Sequence, residues 1–132
     1  MSESGGYLLD TCTALIALLS PETLSPAAYQ AIFTGPNFLS VVSYWEVMLK
    51  SMKQALDVGD PRTWWSDALD QLAATPLVIR PQHVGKLFDL PPIHKDPFDR
   101  MLVAQSLVEG FVLISPDAAI LQYRSKALRV IG

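Results

Sequence analysis

Four acidic residues far apart in the chain stand where apolar runs and helical patterns meet: Asp10, Glu46, Asp99 and Asp117. Asp10 follows the apolar run 7–9, and Glu46 is expected in the first turn of the helix after a second run, 38–42. Asp99 is expected in the first turn of a long late helix, and Asp117 just past the run 111–114. If these runs are parallel strands, their carboxyl ends share one edge, and the four side chains meet in the crevice outside it. Gathered carboxylates repel one another and raise one another's pKa until a cation neutralises them, so the cluster suits a hard divalent ion, Mg2+ or Mn2+. Such an ion acidifies a bound water and stabilises the charge that develops on a phosphodiester during in-line displacement.

Each acid also has a local explanation. Ser43 and Glu46 have the spacing of a capping box. Asp96 before Pro97 suits an N-cap, and Asp99 three residues on is favoured by the positive end of the helix dipole. Asp10 can cap the helix after it, and Asp117 can make a turn. Local explanations do not account for all four falling on one edge, and that convergence carries the chemical reading. His83 and His94 are too separate for a zinc pair and read as surface or loop histidines. Cys12, with no companion base, reads as a small buried side chain. The chain has no glycine-rich phosphate loop, no G-x-S-x-G and no H-E-x-x-H.

The elements that must position the acids follow from periodicity and stop signals. The spacing predicts a strand over 7–9 and a helix over 11–19, then a helix from the Ser25-Pro26 start to residue 32 or 33, ending before Gly35-Pro36. A strand is expected over 38–42, with Ser43 opening a helix that carries Val47, Met48 and Met52. Asp60-Pro61 starts the next helix, with Trp65, Leu69 and Leu72 on its apolar face, and 77–79 reads as a strand. A short helix over 81–88 precedes Pro91-Pro92, and Asp96-Pro97 starts a long helix that Gly110 ends. The run 111–114 reads as a strand, 118–123 as a short helix and 128–131 as a last strand. Strands alternating with helices, and no Asn-Gly or Asp-Gly hairpin between them, imply an α/β domain on a parallel sheet.

Bulk properties limit the classes. Of 132 residues, 50% are hydrophobic and 17% charged, which favours one packed core over disorder. Residues 1–6 are expected to be unstructured and 7–132 to form a single domain. The apolar runs are too short to cross a bilayer, and the start of the sequence lacks a secretory pattern. With one cysteine there is no internal disulfide and no thiolate cluster, and a cytoplasmic, non-membrane protein is expected. The net charge of -3 supplies no general attraction for nucleic acid, so any such contact must be built locally; Lys50, Lys53, Lys95 and Arg100 lie near the acids in sequence.

Several segments together resemble a known family. Tyr7-Leu8-Leu9-Asp10-Thr11, Ser43-Tyr44-Trp45-Glu46-Val47, the stretch His94-Lys95-Asp96-Pro97-Phe98-Asp99-Arg100 through Gln105, and Leu113-Ile114-Ser115-Pro116-Asp117 occur in the order and spacing of PIN-domain proteins. The chain is most similar to the VapC-type toxins of bacterial toxin–antitoxin pairs. The resemblance implies a three-layer α/β/α domain with a central parallel sheet of about four to five strands and a Mg2+- or Mn2+-dependent endoribonuclease. By matching motifs, Asp10, Glu46, Asp99 and Asp117 would be the catalytic and metal-holding acids, with Asp96 a further candidate. Thr11 and Ser43 would orient carboxylates or metal waters, and Arg100 would pair with an acid or meet a phosphate. RNA as substrate, a cognate antitoxin over the acidic groove and a homodimer are the implied partners. Leu24, Phe33, Trp64 and Trp65 offer apolar surface for such contacts, unless the tryptophans bury within the fold. The alternative is an interaction module that keeps the fold and binds antitoxin or RNA without cleaving.

Overall fold

The computed structural model describes residues 5–132. In chain order the elements are β1 (Tyr7–Leu9), α1 (Thr11–Leu19), α2 (Pro26–Thr34), β2 (Asn37–Ser40), α3 (Val41–Met52) and α4 (Pro61–Gln71). β3 (Ala74–Leu77), α5 (Pro81–Lys86), α6 (Pro97–Glu109), β4 (Val112–Ile114), α7 (Ala118–Leu121) and β5 (Val130–Ile131) complete the chain. All five strands pair in parallel in the order β3-β2-β1-β4-β5, the layered α/β arrangement the sequence implies. The chain builds outward from β1 through β2 to β3, then crosses back to place β4 and β5 on the other side. The order therefore reverses between β1 and β4, and a crevice opens there at the strand ends. Leu9 is paired with Ile114, so Asp10 and Ser115 leave the sheet side by side; the Asp10 amide donates to the Ile114 carbonyl at 3.0 Å.

Successive strand residues face opposite layers, and adjacent Leu8 and Leu9 serve the two cores. Leu9, Leu39 and Ile114 pack against Ala14 of α1, Ala31 of α2, Val47 of α3 and Ala68 of α4. Leu8, Leu77 and Leu113 pack against Leu102 and Val103 of α6 and Ile120 of α7. Burying one such leucine is worth roughly 1.5–3 kcal/mol, so the two cores hold the strand ends, and whatever they carry, in fixed register.

Three local expectations change. The most buried residues of α4 are Trp64 and Ala68, each one position before the expected Trp65 and Leu69, while Leu72 at the helix end is buried as expected. Both tryptophans are engaged within the fold: Trp64 lies in the core, and Trp65 stacks on Tyr44 with ring centroids 4.8 Å apart. The third strand begins at Ala74, earlier than the apolar run 77–79 suggests, because pairing of Asn37–Ser40 with Ala74–Leu77 sets its limits. The second strand ends at Ser40, whose hydroxyl caps α3 by accepting from the Val42 amide at 3.0 Å, so the helix starts before Ser43. Of the N-terminal stretch expected to lack structure, residues 1–4 lie outside the described residues; the Gly6 carbonyl accepts from Val112 at 3.0 Å. Among the described residues no helix is long and apolar enough to cross a membrane.

Candidate active site

Asp10 is the N-cap of α1 and almost completely buried. Its Oδ1 accepts from the Thr13 amide at 2.7 Å and its Oδ2 from the Ser115 hydroxyl at 2.6 Å. Burial raises its pKa, and the Ser115 and Thr13 hydrogen bonds work against that rise. Helix capping and membership of the cleft therefore coexist in one carboxylate, because capping uses only one of its oxygens.

Glu46 has no capping role. With Ser40 as the cap of α3, Glu46 falls in the second turn, and the capping box suggested by Ser43 does not form. Ser43 instead accepts the Thr11 hydroxyl at 2.9 Å, tying α3 to α1. The Glu46 side chain is buried; Oε2 lies 3.2 Å from Lys50 Nζ, one helical turn on, and Oε1 has no hydrogen-bond partner among the described residues. A buried carboxylate oxygen without a donor is costly unless something outside the protein meets it.

α6 and α7 contribute the other acids. Asp96 caps α6, accepting from the Phe98 amide at 2.8 Å, and Asp99 stands in its first turn. Asp117 caps α7 through Oδ1, which accepts from the Ala119 amide at 2.7 Å. Burial, joined by the charges of Asp96, Glu46 and Asp10, pushes Asp99 up to about 7. Burial works the same way on Asp117 but is outweighed by the Ala119 amide and by His94, which together hold that carboxyl below its ordinary value. His94 joins the two: its Nε2 lies 2.9 Å from Asp99 Oδ2 and 3.2 Å from Asp117 Oδ2. The three side chains offer ligand atoms within 4.8 Å of one another.

Asp10, Glu46, Asp96, Asp99 and Asp117 line one cleft of about 520 Å³. Thr11, Cys12 and Lys50 share its walls. Cys12 is exposed rather than buried, because it follows the cap in the first turn of α1 and faces the cleft. Partial burial and the Asp10 charge raise its pKa, so it stays a neutral thiol at pH 7. A second groove of about 410 Å³ continues from the first past Glu46, Lys50 and Asp96 to Lys53, Lys95 and Phe98. The acidic cleft thus opens onto a basic one. The acids supply hard oxygen donors, several carboxylates face one space, and one carboxylate oxygen lacks a donor among the described residues, which together fit a Mg2+- or Mn2+-sized cation.

Some residues singled out from the sequence lie elsewhere. Arg100 does not reach the acids; it donates to the carbonyls of Pro91 and Leu87 and to the Tyr123 hydroxyl, and so holds the loop before α6. His83 is fully buried, not on the surface, with Nε2 2.7 Å from Glu109, which Arg80 also meets. Thr11 and Ser43 bond to each other, and the hydroxyl that orients Asp10 belongs to Ser115. Ser115 and His94 are the polar contacts that the linear reading missed. His94 was legible only in its place two residues before the Asp96 cap; Ser115 became significant once β4 was known to lie beside β1.

The PIN domain family matches residues 7–126. No curated protein matches the sequence. Among solved structures, a toxin–antitoxin complex from Klebsiella pneumoniae superposes with a TM-score of 0.61 at 21% identity, covering 92% of this chain and 94% of that one. The DNA-bound VapBC of Salmonella typhimurium gives a TM-score of 0.65 at 13% identity over 94% of this chain and 95% of that one. FitAcB from Neisseria gonorrhoeae gives 0.63 at 16% identity, covering 96% of each. At these identities the likeness is one of fold.

Proposed function

This chain belongs to the PIN-domain family, and from that premise we propose that it is a metal-dependent endoribonuclease, the toxin member of a toxin–antitoxin pair acting in the cytoplasm. The observation that carries the reading is the meeting of Asp10, Glu46, Asp99 and Asp117 in one cleft, with a buried Glu46 oxygen that no donor among the described residues satisfies. Those four side chains would hold Mg2+ or Mn2+, with Asp96 at the rim. When bound, the ion supplies an acidified water and charge stabilisation at the phosphodiester. The protein's own groups do the rest. Ser115 and the Thr13 amide fix the Asp10 carboxylate. Lys50 balances Glu46 while leaving its other oxygen free. Asp99, near 7, gives up its proton when a cation takes its place. Lys53 and Lys95 line the adjoining groove, where they supply the local positive charge that a net charge of -3 lacks, and phosphates of a bound strand fit there.

The partner part of the reading draws on the neighbours, one a toxin–antitoxin complex and another a DNA-bound VapBC. An apolar groove of about 290 Å³, lined by Ala17, Leu24, Tyr29, Ile32, Phe33 and Leu72, leaves Phe33 largely exposed and offers a surface for an antitoxin or a second copy of the chain. The test is cleavage of a mixed RNA substrate by the purified chain with Mg2+ or Mn2+. Wild type should cut, a chelator should stop it, and Asp10→Asn and Glu46→Gln should lower the rate at least a hundredfold while the circular dichroism spectrum stays the same. A wild-type protein that binds antitoxin but cuts no RNA under any of these conditions overturns the catalytic reading in favour of an interaction module.

A further inference from the structure

The structure assigns His94 a positioning role: its Nε2–H, aimed by the loop before α6, holds Asp99 and Asp117 together for a divalent cation without itself becoming a ligand. This rests on the metal-centre reading above. The Asp96 amide can only donate, and it lies 3.2 Å from His94 Nδ1, so Nδ1 is the acceptor and the ring proton sits on Nε2. That one N–H then faces two carboxylate oxygens, Asp99 Oδ2 at 2.9 Å and Asp117 Oδ2 at 3.2 Å. Both lone pairs that could bind a metal are thereby removed: one accepts the Asp96 amide, and the other nitrogen carries the proton.

The ring has its own support. The His94 backbone N–H donates to the Tyr123 hydroxyl at 2.9 Å, and that hydroxyl donates to the Pro91 carbonyl at 3.1 Å. Arg100 donates to the same hydroxyl at 3.1 Å and to Pro91 at 3.0 Å. Tyr123 is buried in the core under α6 and α7, so the loop that carries the histidine is pinned to the layer that carries both acids. Two like charges on separate helices would otherwise spread apart. A shared donor fixes their spacing before a cation arrives and lowers the ordering cost of binding it.

The experiment measures Mn2+ binding calorimetrically for wild type, His94→Ala and His94→Gln, with pulsed electron paramagnetic resonance of the bound Mn2+. The glutamine amide can place a donor near Nε2 but makes no imidazole. His94→Ala should weaken Mn2+ binding roughly ten- to a hundredfold, His94→Gln should recover most of that loss, and the wild-type spectrum should show no imidazole nitrogen coupling. Equal Mn2+ affinity in wild type and His94→Ala overturns the proposal while leaving the metal centre standing. So does a nitrogen coupling that vanishes in His94→Ala, which would make His94 a ligand. Failure of wild type to bind Mn2+ at all removes the metal-centre reading and this one with it.

Discussion

Asp99→Asn should stabilise the metal-free protein while abolishing cleavage. The unfolded chain releases this proton near the ordinary 3.8 and the folded chain near about 7, so folding favours the protonated form. Stability from this group is full below pH 4, falls as the pH rises towards 7, and stays low above that. Raising a carboxyl from 3.8 to about 7 sets on the order of 4 kcal/mol against its ionisation. The carboxylate stands in an open cleft where solvent screens it, so about 2 kcal/mol is the expected gain at pH 8. In a domain of this size each kcal/mol moves the melting midpoint by roughly 3–5 °C. An asparagine keeps an acceptor for His94 and removes the charge. The assay is thermal unfolding by circular dichroism with a chelator present, at pH 5 and pH 8, for both proteins. The difference should favour the variant by several degrees at pH 8 and by about two-fifths as much at pH 5, where the unfolded carboxyl is already ionised. A variant that melts below wild type at pH 8 refutes the argument, because it would mean that the Asp99 charge supports the fold instead of opposing it. With excess Mn2+ the order should reverse, since binding to the native state adds stability only where the site is intact.

Other perturbations separate the parts of the site. Ser115→Ala removes the hydroxyl on Asp10 Oδ2, a charge-assisted hydrogen bond worth about 1.5–3 kcal/mol. The Asp10 pKa then rises further, and the acid limb of the rate profile should move to higher pH; an unchanged profile would show that Asp10 ionisation does not limit activity. Lys53→Ala with Lys95→Ala should weaken RNA binding and lower its salt slope by about 1.4, as expected for two lost phosphate contacts on a single strand. Mn2+ affinity should not move. Glu109→Gln breaks the cluster with Arg80 and buried His83, far from the acids, and should cost about 2 kcal/mol in urea unfolding while the folded enzyme cuts RNA at the wild-type rate.

Much of the architecture was legible because its causes are short-range. Proline at the first helical position and a side-chain cap before it mark the starts of α2, α4 and α6 at Ser25, Asp60 and Asp96. Gly110 takes a left-handed φ of 75°, which ends α6 where the pattern stops. The motifs around Asp10, Glu46, Asp99 and Asp117 stood out for their spacing. Short-range logic also misled: Ser43 and Glu46 imitate a capping box, yet Ser40 takes the cap because the strand it ends is only four residues long.

What the chain alone determined, then, was the order of the elements and most of the helix starts, which depend on neighbours within a turn or two; the acids it nominated were read from spacing in the same way. The tertiary structure decided which strand lies beside β1, and so that Ser115 and not Thr11 or Ser43 meets Asp10. It also turned His94 onto two acids, sent Arg100 to the loop carbonyls, buried His83 and left Cys12 in the open. The Ser115–Asp10 and His94–Asp117 contacts join residues 105 and 23 positions apart, set by sheet order and by how helices seat on it, and even the shorter ones made by Arg100 depend on a loop path that no local propensity encodes.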